Sequence, residues 1–140
     1  MQEVNFDELV EQLSTQDMRY GRDAYYFTRE ALDFTQKLIT RENRGTVRQH
    51  VTGQELLEGI RQYALQEYGP MTVTVLEEWG IKSCRDFGDI VFNMVESGLL
   101  AKTDKDTRED FRQGYDFTEA FRKPYWPEKK LRKSGKPLAK

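Results

Sequence analysis

One cysteine and one histidine are all that the chain offers to metal or thiol chemistry. A zinc site needs about four N, S or O ligands, and Cys84 and His50 provide no such spacing. A lone cysteine also forms no internal disulfide, and nothing in this usage points outside a reducing cytoplasm. Proline is scarce: Pro70 stands alone before Pro124, Pro127 and Pro137. No apolar run approaches the roughly 18 residues of a membrane span. Residues 1–7 lack the basic and apolar stretches of a secretion signal, so a cytoplasmic protein without membrane contact is expected. Phosphate-cradling loops, His-Glu-x-x-His and a nucleophile elbow are all missing. The expectation is therefore a non-enzymatic protein with no cofactor and no metal.

Aromatic residues are plentiful: eight Phe, seven Tyr and two Trp make up 12% of the chain. That payload suits a folded body. The 33% charged content exceeds the roughly 25% of an average domain, as amphipathic helices with one wet face require. A length of 140 residues fits one domain that buries about two-thirds of its unfolded surface.

Helical signals follow one another along the chain. Asn5 and Glu8 make a capping box, and Phe6, Leu9, Val10 and Leu13 form the stripe of a first helix. Arg19-Tyr20-Gly21 breaks it. A longer helix is expected over 23–40, with Ala24, Phe27, Ala31, Phe34 and Leu38 on one face. Residues 41–49 lack periodicity and read as a loop. Thr52 and Glu55 cap a third helix, which Gly69-Pro70 ends. Residues 71–75 alternate like a strand, but Val75, Leu76 and Trp79 keep helical spacing before Gly80, and a short helix is the preferred reading.

A capped amphipathic helix then begins at Ser83, with Asp86 in the box position. Cys84, Phe87, Ile90, Val91, Met94 and Val95 line its apolar face. Arg85, Asp89, Asn93 and Glu96 fall elsewhere and are expected to be wet. Gly98 ends the helix in a left-handed turn, against which Leu99 packs back. Residues 103–110 form a polar tip, and 111–117 would return beside 100–102 as a small hairpin, weakened by Gly114. Asp86-Phe87-Gly88 matches the kinase metal-binding triplet in letters alone. Cys84 lies between Lys82 and Arg85 at a helix start, a setting that lowers a thiol pKa, yet its place on the stripe makes it core. His50 precedes the third helix cap and has no catalytic partner.

Residues 76–111 resemble the helix-turn-helix and wing of winged-helix bacterial regulators of the multiple-antibiotic-resistance type. Trp79-Gly80-Ile81, the helix exit at 95–100 and the tip at 104–108 carry the likeness. It implies a helix entering the DNA major groove and a basic wing on the backbone. The chemistry here departs, because Asp86, Asp89 and Glu96 stand beside Arg85, and Asp104, Asp106, Glu109 and Asp110 crowd the tip. Duplex affinity comes largely from Lys and Arg on phosphates. Almost the whole chain is also similar to a small family of uncharacterised bacterial proteins of about this length, described as conserved hypothetical or "uncharacterised repeat" proteins. The matching stretches are Asp17-Met18-Arg19-Tyr20 and residues 25–35, 50–64, 68–71, 86–92 and 115–125. That resemblance implies no activity.

Charge is split between body and end. Residues 122–140 carry eight Lys and Arg against Glu128 alone, a local net of +7 that leaves −9 for 1–121. The expected organisation is one mainly α domain over 1–121: two N-terminal helices on a winged-helix-like three-helix module at about 52–117, with at most a small β-hairpin. A basic, largely extended or disordered tail follows over 122–140. The preferred function is binding another protein through an acidic winged-helix-like surface that includes Arg85, Asp89, Asn93 and Glu96. The alternative is nucleic-acid binding through Tyr125, Trp126, Lys129, Lys130, Arg132 and Lys133. A third reading docks Phe121, Tyr125 and Trp126 on the body and leaves the lysines as solvated charge.

Overall fold

Burial of alternate helix faces, rather than strand pairing, organises this chain. A computed structural model describes residues 5–42, 51–98, 100, 109–112 and 114–127. The fold is mainly α: α1 (Phe6–Gln16), α2 (Arg22–Glu42), α3 (Gly53–Tyr68), α4 (Thr72–Glu78), α5 (Cys84–Glu96) and a single turn, α6 (Glu109–Arg112). A 3-10 turn, Gly69–Met71, joins α3 to α4, and a π turn, Thr118–Arg122, runs into a 3-10 turn, Lys123–Tyr125. No strand occurs among the described residues. Residues 71–75 are thus helical, in agreement with the spacing of Val75, Leu76 and Trp79.

The caps explain where the helices begin. Asn5 accepts the Glu8 N–H at 3.1 Å. Thr52 and Glu55 exchange two bonds, at 3.0 and 3.1 Å, and each pair satisfies amides that a helix start leaves free. At α5 the Asp86 carboxylate accepts the N–H groups of Lys82 and Ser83 at 2.7 and 3.1 Å. Gly98 ends that helix with φ 90°, the left-handed conformation that costs glycine little.

The long α2 and α3 lie side by side and α5 crosses α2, so α2 is the central element. Gly59 makes the α2–α3 approach possible: a Cβ there would sit 1.7 Å from the Thr35 hydroxyl oxygen. Thr28 and Thr35 are fully buried, yet their hydroxyls donate to the carbonyls of Ala24 and Ala31 at 2.8 and 2.7 Å. Burial therefore leaves neither unsatisfied. Phe27 is the hub of the core, with the rings of Tyr63, Tyr68, Trp79 and Phe87 at centroid distances of 5.6, 6.1, 5.6 and 6.3 Å. Such tilted pairs add to the hydrophobic burial of the rings themselves.

One expectation needs correction. Residues 109–112 form a helical turn rather than a returning strand, because Phe111 tucks against α5 at Gly88, where a Cβ would lie 2.8 Å from the Phe111 Cβ. The glycine of Asp86-Phe87-Gly88 thus serves packing. Of the polar tip at 103–110, residues 103–108 lie outside the described residues, as do Leu99 and His50. Helical turns continue past 121 through Tyr125. Phe121 is fully buried against Tyr115 and Phe117, with ring centroids at 5.7 and 5.1 Å, and anchors that segment.

Candidate functional site

The junction between α1 and α2 is built against the junction between α4 and α5. Gly21 N–H donates to the Trp79 carbonyl at 3.2 Å. Gly80 has φ 91°, and a Cβ on it would stand 2.0 Å from the Arg19 carbonyl oxygen. Only glycine permits so close a backbone approach together with that conformation. The turn between α4 and α5 is thereby held by residues 17–21, not left open.

Side chains extend this clasp along α5. The Arg19 guanidinium grips the Asp17 carboxylate with Nε at 2.9 Å and Nη2 at 2.7 Å, and reaches Asp89 with Nη1 at 3.1 Å. Asn93 donates to Asp17 at 2.9 Å and to the Tyr25 hydroxyl at 3.1 Å. Tyr20 is buried, and its hydroxyl donates to Asp86 at 2.6 Å and to Asp89 at 3.3 Å. Charge-assisted bonds of this kind are the strong ones. They hold the Asp17 carboxyl well below the usual carboxylate range, chiefly through Arg19 and further through Asn93. Burial, and then the bond to Asp86, pushes the Tyr20 phenol far up, so it stays a donor.

The sequence-based site residues therefore divide. Arg85 and Glu96 are exposed, as expected. Asp89 is not wet, with its side chain 13% exposed, and Asn93 is only partly exposed. The reason is that buried Tyr20 and Tyr25 need polar partners, and the near side of α5 supplies them. Asp17, Arg19 and Tyr20 were the residues that the periodicity reading passed over. Their one local signal is Asp17 accepting the Arg19 N–H at 3.2 Å, the two-residue spacing of an Asx turn.

What this clasp presents outward is Met18, 86% exposed between two residues tied to α5, and Phe92, 37% exposed on α5 between Asp89 and Asn93. Carboxylates outnumber cations around them. At the C-terminal end, Tyr125 and Trp126 are about half exposed (47% and 49%) rather than packed away. Lys129, Lys130, Arg132 and Lys133 lie outside the described residues. Arg122, three residues before Tyr125, lines a cleft of about 340 Å³ together with Val73, Glu77, Lys82, Ser83, Thr118 and residues 115–117.

Cys84 is 3% exposed, and its Sγ lies 3.4 Å from the Tyr115 carbonyl oxygen. Burial pushes the thiol up to about 11, so the neighbouring Lys82 and Arg85 do not activate it. Among the described residues no group of three or more His, Cys, Asp and Glu is placed to hold a metal ion, and no helix is long and apolar enough to cross a membrane. No family model, curated protein or solved structure matches this chain.

Proposed function

We propose that this protein is a non-enzymatic, cytoplasmic interaction module that binds another protein through the surface formed by α5 and residues 17–21. The observation that carries the reading is Met18. A methionine so fully in solvent has no role in the core, while Asp17 and Arg19 on either side of it are bonded to Asn93 and Asp89. A docking side chain on a held loop loses less freedom on binding. Methionine is also adaptable and adheres to varied apolar surfaces. Phe92 adds apolar area, and Arg85 and Glu96 supply the charged rim of an interface.

The charge of this surface argues against a duplex. Asp86, Asp89 and Glu96 on α5 outnumber its one cation, Arg85, and the neighbouring Arg19 is already taken by Asp17 and Asp89. Phosphate neutralisation needs cations that are free to approach.

Capture from cell lysate with immobilised wild-type chain and with Met18→Glu, each with and without nuclease, tests the reading. Discrete proteins retained by the wild type in the presence of nuclease and lost with Met18→Glu are expected, at an unchanged melting temperature. Equal capture by both chains contradicts it, as does turnover of a substrate in a broad hydrolase and transferase screen.

A further inference from the structure

The C-terminal surface differs in chemistry from the clasp. Tyr125 and Trp126 stand half in solvent but are not loose. The Tyr125 hydroxyl lies close to Gly69, where a Cβ would be 3.7 Å from it, and the Trp126 N–H donates to the Lys123 carbonyl at 3.0 Å. The Lys123 ammonium sits over the Trp126 ring, 5.7 Å from its centroid. Two neighbouring aromatic rings are thus held in place with much of their surface unused.

Cations flank the rings. Arg122 lies one turn before Tyr125 and also lines the cleft, where it is joined by Lys82 and by the hydroxyl-bearing Ser83 and Thr118. Neither Lys82 nor Arg122 forms an ion pair among the described residues. The carboxylates nearby are mostly occupied: Asp116 accepts the Glu119 N–H at 3.1 Å, and Glu119 pairs with Lys123 at 2.6 Å. Glu77 is the cleft carboxylate left without such a partner. In sequence the same segment leads directly into Lys129, Lys130, Arg132, Lys133, Lys136 and Lys140.

We propose that this surface binds single-stranded nucleic acid, with bases stacked on Tyr125 and Trp126 and phosphates against Arg122 and Lys82. Unpaired bases offer flat faces to an aromatic platform irrespective of sequence, while an adjoining basic groove follows the backbone. A duplex keeps its base faces hidden and would leave both rings idle. The polar cleft, with its lysine, arginine and hydroxyls, suits phosphates better than acyl chains. This site is independent of the one around Met18.

Fluorescence anisotropy of labelled (dT)15 titrated with the full chain tests the proposal. The affinity is expected to fall with salt at a logarithmic slope of about −1.4 or steeper, the value for the two phosphates at Arg122 and Lys82 on a single strand. Tyr125→Ala with Trp126→Ala should weaken binding roughly ten-fold or more at an unchanged salt slope. Arg122→Gln or Lys82→Gln should flatten the slope by about 0.7, and Glu77→Gln should tighten binding. Met18→Glu should leave it unchanged, which separates this site from the protein-binding surface. Equal affinity of the aromatic double variant, with circular dichroism showing it folded, overturns the proposal. So does a duplex of matched length bound as tightly as the single strand. Phosphatidylglycerol vesicles that retain the chain through Tyr125 and Trp126, while (dT)15 does not bind, would assign the surface to lipid and overturn it as well.

Discussion

Asp17 ties three parts of the chain together: its backbone N–H donates to the Leu13 carbonyl at the end of α1, while its carboxylate clamps Arg19 and accepts from Asn93 on α5. Its ionised form is the one that the fold selects, so its folded pKa lies below the ordinary value of 3.8. The stability it contributes is complete above that ordinary value and is lost as pH falls below it towards the folded one. Tyr20 works in the opposite sense. Its folded pKa lies above the ordinary 10.0, so its contribution holds below that pH and is lost as pH rises beyond it. Asp17→Asn should therefore cost about 1–2 kcal/mol at pH 7, the worth of a charge-assisted bond discounted for the exposure of Arg19. Denaturant titrations should show the gap between the two chains closing as the pH is lowered from 5 to 2. A gap that persists unchanged at pH 2 would show that the carboxylate charge is not what matters.

At the scale of elements, the contact between two turns sets how α1 and α2 sit against α4 and α5. Gly80→Ala brings a Cβ to within 2.0 Å of the Arg19 carbonyl oxygen at a backbone φ of 91°, and strain of either kind costs on the order of 1–3 kcal/mol. We expect thermal denaturation to show a fall of several degrees or more in melting temperature. An unchanged value would mean that the two turns are not in contact. The helices themselves were legible in the sequence: Asn5 with Glu8 and Thr52 with Glu55 mark their starts, and the stripes on α2, α3 and α5 mark their buried faces. The clasp was not legible. Nothing in the spacing of Asp89 and Asn93 reveals that a turn some seventy positions earlier lies along them. Polar residues opposite an apolar stripe look the same whether they meet water or a distant loop. The return segment failed for a related reason, since Phe111 follows the space left by Gly88 rather than its own local preference. Phe121 was recognised as an aromatic able to dock, but only its burial between Tyr115 and Phe117 shows how far the folded segment extends.

Across the whole molecule, two surfaces of opposite character emerge from one helical body. Around α5 the carboxylates prevail, Arg19 is paired internally, and a single methionine projects from a braced turn. At the far end of the chain, half-exposed Tyr125 and Trp126 follow Arg122, which lines a cleft with Lys82 and, like it, forms no ion pair among the described residues, and they precede the strongly basic residues 129–140. The likeness of residues 76–111 to a DNA-binding helix-turn-helix lies in sequence order, and the use we propose for the polar side of α5 is partner binding. Site-specific photo-crosslinking in cells tests that use most directly, with a benzophenone side chain placed at position 18 and, as a control, at the equally solvent-facing position 37. The expected result is a discrete protein adduct at position 18 that is absent at position 37. No adduct at 18, or the same adducts at both positions, would contradict a partner-binding surface built on α5 and residues 17–21.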